Sequence, residues 1–178
     1  MVAFEKAAVP YGVEMKIVIL LLIGGMLTAT ASAGWDPQDD GESKGRYISV
    51  TAFDPARNPA QDLRDALAEA GRSGKRILLD VGGEWCSWCH RFDAFFEHNP
   101  RLLELRNKNF IMLKINVSPE NSNKKFLSAY PSIPGYPHLL VLEANGKLLH
   151  SQGTSELELG NSYDLTKLKT FLNRWAPR

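Results

Sequence analysis

The chain has only two cysteines among its 178 residues, Cys86 and Cys89. A small exported domain stapled by disulfides carries more of them, widely spaced, so that class is excluded. A bridge across so short a loop constrains the unfolded chain little, which argues against a purely structural role for the pair. A bias of charge is also missing. There are 21 basic and 20 acidic residues, a net charge of +1. No basic stripe suggests nucleic acid, and no acidic tail suggests a cationic partner. No internal repeat or low-complexity tract occurs. Long apolar runs are absent apart from Ile17 to Leu27, which is short for a membrane span. The length suffices for one domain with a real core.

What is present begins with Met15 to Ala33, MKIVILLLIGGMLTATASA. One lysine, an apolar centre and the small residues Ala31-Ser32-Ala33 read as a secretory signal, with Met15 as the true start. The expected organisation is a signal peptide over 1–33, a flexible polar segment over 34–45 and one domain over 46–178. An uncleaved anchor is the alternative; no stable membrane anchor is expected. Export, periplasmic or beyond the cell, would place the thiols in an oxidising compartment. A partner must then keep them reduced if they are to reduce others.

The chain is organised around Lys75 to His90, KRILLDVGGEWCSWCH. Ile77, Leu78, Leu79 and Val81 predict a strand, Gly82-Gly83 a turn, and Cys89, Phe92 and Phe96 a helix face ending by Pro100. Thiols in the first turn of a helix meet unpaired N–H groups and the positive end of the helix dipole. Both favour a thiolate, which makes Cys86 nucleophilic near neutral pH. Cys89 lies one turn on, on the same side, close enough for a short disulfide.

The remaining elements follow from pattern. Tyr47, Ser49 and Thr51 alternate with Ile48, Val50 and Ala52, predicting a short strand. Asn58-Pro59 starts a helix with the stripe Leu63, Ala66, Leu67 and Ala70, ended by Gly71. A short helix is expected around Leu102 to Arg106 and a strongly apolar strand over Phe110 to Val117. Asn121 to Tyr130 is a helix candidate, and the three prolines of Tyr130 to Pro137 exclude regular structure there. His138 to Glu143 and Lys147 to Ser151 flank a hairpin turn at Ala144-Asn145-Gly146. Asp164 caps a last helix with Leu165, Leu168, Leu172 and Trp175 on one face. Crossover helices imply parallel strands and the hairpin adds antiparallel ones. The expected class is α/β, a mixed central sheet flanked by helices on both faces.

These residues resemble the thioredoxin superfamily, specifically its exported members, over roughly Tyr47 to Trp175. The match lies in Trp85-Cys86-Ser87-Trp88-Cys89 after a strand, in Tyr136-Pro137 before a strand, and in Asp80 and Lys114. The resemblance implies a thioredoxin fold and thiol–disulfide exchange, with Cys86 attacking and Cys89 resolving the mixed disulfide. It implies that Asp80 is a buried acid handling the proton of Cys89, moderated by Lys114. It also implies a cis-proline at Pro137, with Trp85, Trp88 and Tyr136 beside it as a substrate groove. Implied partners are protein or small-molecule disulfides and a redox partner that recycles the dithiol. No cofactor and no metal are required.

Ser87-Trp88 departs from the Gly-Pro of thioredoxin, which leaves the direction of electron flow open. His138 stands where thioredoxins often carry threonine; it either adjusts the thiolate, binds metal or is a surface histidine. Three other readings remain. Cys86-Ser87-Trp88-Cys89-His90 fits the c-type haem attachment signature. Cys86, Cys89, His90 and His138 could bind zinc or Cu(I). The fold could also serve as a binding module without turnover.

Overall fold

The computed structural model describes residues 47–178. The signal-like stretch over 1–33 and the polar segment over 34–45 lie outside the described residues. Among the described residues, no helix is long and apolar enough to cross a membrane.

A four-stranded mixed sheet forms the centre, in the order β2-β1-β3-β4. Strands β1 (Arg76–Gly82) and β2 (Phe110–Asn116) are parallel, joined by helices α2 (Ser87–His98) and α3 (Pro100–Asn109). Every residue of β2 is buried, as expected of a mostly apolar parallel strand covered on both faces, and Lys114 is the one charged residue in it. Strand β3 (His138–Leu142) runs antiparallel to β1, and β4 (Leu148–Gly153) antiparallel to β3 through the Asn145-Gly146 turn. Gly146 takes φ of 85°, which only glycine adopts without strain.

Two apolar layers cover the sheet. On one face Leu78, Met112, Leu139 and Val141 pack against Phe92 and Phe96 of α2, Leu102 of α3, and Leu168, Phe171 and Leu172 of α5 (Leu165–Trp175). On the other face Ile77, Leu79, Val81, Leu113 and Leu140 pack against Ala66 and Ala70 of α1 (Pro59–Ser73). The caps are those the sequence predicts. The Asn58 side chain accepts from Ala60 and Gln61 N–H, and Asp164 from Thr166 and Lys167 N–H.

Several elements differ from the expectation. The N-terminal strand is reduced to one parallel bridge, Val50 to Leu113, with the Lys114 N–H donating to the Val50 carbonyl at 3.2 Å. Helix α1 continues through Gly71 and ends at Gly74, whose φ of 69° supplies the left-handed cap. The 121–130 helix shrinks to α4 (Lys124–Leu127), preceded by Asn123 at φ 49°. Unforeseen are a 3-10 turn over Thr154–Leu157 and the small hairpin β5 (Glu158–Leu159) and β6 (Ser162–Tyr163).

Candidate active site

Strand β1 delivers the chain to the first turn of α2, and the two cysteines sit there as a disulfide, Cα atoms 5.2 Å apart. Cys86 is the N-cap of α2, and its sulfur accepts from the Cys89 N–H at 3.1 Å. That N–H, in the first turn of the helix, is shared with the Cys86 carbonyl at 3.0 Å, and it is positioned to stabilise negative charge on this sulfur. Cys86 keeps 4% of its surface exposed and Cys89 none. Of the two cysteines, Cys86 is the one that reaches the surface.

Glycine at position 82 follows from close approach. A Cβ there would lie 2.5 Å from Cys89 Sγ and 3.1 Å from Phe53 Cζ. A Cβ at Gly83 would lie 2.6 Å from the Val117 carbonyl oxygen. Gly82→Ala is therefore expected to destabilise the oxidised protein by about 1–3 kcal/mol, the usual cost of overpacking. Urea unfolding checks this, and an unchanged midpoint would show that the loop yields freely.

Side chains alternate across a strand, so Asp80 faces the same side of β1 as Gly82 and hence as Cys89. Asp80 is completely buried and lies in register with Lys114 of the neighbouring parallel strand. Lys114 Nζ donates to Asp80 Oδ2 at 3.0 Å and to both carboxylate oxygens of Asp93 at 2.8 Å. Among the described residues, Asp80 Oδ1 has no hydrogen-bond partner. Burial pushes the Asp80 carboxyl above its ordinary value, with the Lys114 charge pulling the other way. Burial also pulls the Lys114 ammonium down, but the two carboxylates outweigh it and hold it above the usual lysine value.

Asp93 escapes a reading of the sequence that stops at the motif. It stands four residues after Cys89 on α2, so helical phase alone places it beside the thiols. Phe53 is missed for a different reason: it sits outside regular structure and reaches the site only through the fold, where it meets Glu84 of the loop before Cys86. Phe53 forms a small apolar cluster with Cys86 and Cys89. Its N–H donates to Glu84 Oε1 at 3.1 Å.

The flanking aromatics fall on the same side. Trp85 is 59% exposed, donates its indole N–H to the Val117 carbonyl, and meets Tyr136 edge-on at 5.6 Å. Trp88 is held between the Arg91 guanidinium, 4.7 Å from its ring, and Tyr163 of β6. The Tyr163 hydroxyl donates to the Trp88 carbonyl at 3.2 Å. The Tyr136–Pro137 peptide bond is cis.

The histidines are not gathered around the sulfurs. His138 is buried rather than on the surface, with Nε2 against the Ser151 hydroxyl at 2.7 Å. Burial lowers its pKa. His90 is exposed and contacts the Glu84 carbonyl through Nε2 at 2.7 Å. Among the described residues, no group of three or more His, Cys, Asp and Glu side chains is placed to hold a metal ion.

Comparison with known proteins agrees with this geometry. A thioredoxin-like family model matches residues 58–144. The thiol:disulfide interchange protein DsbD of Pseudomonas fluorescens is 29% identical over 161 residues, covering 86% of this chain and 26% of that protein. Its counterpart in Salmonella typhi is 25% identical over 134 residues, covering 75% of this chain and 22% of that protein. The chain thus spans about a quarter of the length of these relatives. A crystal structure of a disulphide isomerase from Xylella fastidiosa superposes with a TM-score of 0.58 at 26% identity. It covers 71% of this chain and 97% of its own. A C-x-x-C pair at the start of a helix and a mixed sheet between two helical layers agree with these matches, and the chain has the thioredoxin fold of the thioredoxin-like proteins it resembles.

Proposed function

We propose that this chain is a thiol–disulfide oxidoreductase whose reacting groups are Cys86 and Cys89. The observation that carries the reading is Cys86 at the head of α2, its sulfur accepting a backbone N–H and the residue keeping a small exposed surface while Cys89 is sealed. The relatives named for thiol:disulfide interchange support it.

In the reducing direction the Cys86 thiolate attacks one sulfur of a substrate disulfide. A mixed disulfide forms and one substrate sulfur leaves as thiolate. Cys89 then gives up its proton and attacks the Cys86 sulfur, expelling the second substrate thiolate and restoring the Cys86–Cys89 bond. Two electrons pass to the substrate, and a dithiol partner must return them for another turn. The unpartnered Oδ1 of Asp80 is the atom that takes the Cys89 proton. Lys114, tied to Asp80 and Asp93, keeps that carboxyl within reach of ionisation. Trp85, Trp88, Tyr136 and Pro137 line the groove in which an extended substrate segment lies beside Cys86. The substrates are disulfides of exported proteins or small molecules, and the working compartment is the periplasm or the exterior, reached by the signal over 1–33.

Alkylation of the reduced chain tests the assignment. Limited iodoacetamide near neutral pH is expected to label Cys86 and leave Cys89 free, read by peptide mass. Equal labelling, or labelling of Cys89 first, would reverse the roles.

A further inference from the structure

Lys114 has a third neighbour besides its two carboxylates. Its Nζ lies 4.0 Å from the ring centroid of Phe53. The far end of the same ring points the other way, toward the thiols: its Cζ and Cε1 would lie 3.1 and 3.3 Å from a Cβ at Gly82, beside Cys89 Sγ. Phe53 is 2% exposed and clusters with Cys86 and Cys89. Its position is fixed through the main chain, because its N–H is held by the Glu84 carboxylate two residues before Cys86.

Lys114 also lines a cavity of about 530 Å³, together with Asp93, Arg106, Thr51 and Tyr47 among others. The Lys114 side chain therefore borders both a cavity and an aromatic face. A cation in that position is drawn to the electron-rich ring face, and the attraction strengthens where water is excluded.

We propose that Phe53 is a positioning residue of the thiol site, whose ring face holds the Lys114 ammonium against Asp80 and away from the cavity. The proposal deepens the reading of Asp80 and Lys114 as the proton-handling pair. A cation fixed there lowers the cost of ionising Asp80. When the ring's hold weakens, the ammonium moves toward Asp93 and the cavity, and the Asp80 carboxyl keeps its proton to higher pH. The charged and titratable groups around this point are Asp80 on β1, Lys114 on β2, Asp93 and His90 on α2, Arg106 on α3, Glu84 before Cys86, and Tyr163 on β6. Only Lys114 among them stands over the Phe53 face.

The test is a carbon-detected NMR titration of the Asp80 side-chain carboxyl in the reduced full chain, which needs no substrate and so is independent of turnover. Two changes at position 53 separate charge from volume. Phe53→Leu removes the ring. Incorporating 3,5-difluorophenylalanine keeps the ring's shape, leaves the crowded para position untouched and weakens the negative face. Both are expected to raise the Asp80 midpoint by about half a pH unit or more, the scale of a desolvated cation–π contact. Midpoints unchanged in both proteins would overturn the proposal. So would a shift in Phe53→Leu alone with the fluorinated protein unchanged, which would make the ring a filler of space. Disulfide exchange missing already from the unaltered chain, with the Asp80 midpoints of the two variants still shifting as expected, would count against the catalytic reading, not against this contact.

Discussion

Replacing Cys86 with serine is expected to abolish disulfide reduction, by more than about 10³-fold, the scale on which removal of a nucleophile acts. Cys86 is the cysteine that reaches the surface, and its sulfur accepts the Cys89 N–H at the head of α2. A serine hydroxyl is not ionised at neutral pH and cannot attack a disulfide usefully, so the neighbouring thiol cannot compensate from its sealed position. Cys89→Ser is expected to fail differently. Cys86 still attacks, but no resolving thiol remains, and a mixed disulfide on Cys86 accumulates. Mass spectrometry of the two variants after exposure to a disulfide peptide separates these outcomes: no adduct in Cys86→Ser, one adduct in Cys89→Ser. Turnover retained in Cys86→Ser would instead favour the fold acting as a binding module.

Asp80→Asn is expected to stabilise the protein and slow it. The wild-type carboxyl is wholly buried, has one oxygen without a partner, and is pushed up in pKa by that burial. The folded value is thus above the unfolded one. Its favourable contribution is fully present below the ordinary aspartate value and is lost as pH rises through the folded value. The asparagine variant carries no such penalty. It should match the wild type in acid and exceed it at pH 8 by on the order of 1–3 kcal/mol, the scale for an unsatisfied buried polar group. Lys114 keeps Asp93 as a partner in either protein. The rate of the second step, which needs a base for the Cys89 proton, should fall by about 10²-fold, the lower end of general-base effects. Denaturant unfolding from pH 4 to 8 and single-turnover kinetics read the two effects separately. A variant less stable at pH 8 than at pH 4, relative to wild type, would contradict the assigned direction of the shift.

Much of this site is legible in the sequence because its core elements have strong local signals. Strands β1 and β2 are nearly unbroken apolar runs, so Asp80 and Lys114 stand out as ionisable interruptions, and the parallel register places them opposite each other. The caps Asn58 and Asp164 announce α1 and α5 by chemistry alone. Other parts had no local signal. The two-residue strands β5 and β6 are too short to show a period, yet they place Tyr163 against Trp88. Helix α4 lasts one turn because Asn123 enters it in the left-handed region, which propensity over 121–130 does not reveal. One of the three readings of His138 puts it on the surface, but strand pairing on both sides encloses it. Phe53 is one aromatic among loop residues until the chain brings Lys114, 61 positions later, over its ring.

The central claim is that the Cys86–Cys89 bond opens and closes as a working redox couple. Equilibrium titration in a thiol–disulfide buffer, with the oxidised fraction read by alkylation and mass, tests it most directly. The account predicts one reversible two-electron transition, at a potential within the span from about −270 mV for a reductant to about −120 mV for an oxidant. A bond that stays closed to below about −300 mV, as structural disulfides do, would contradict it.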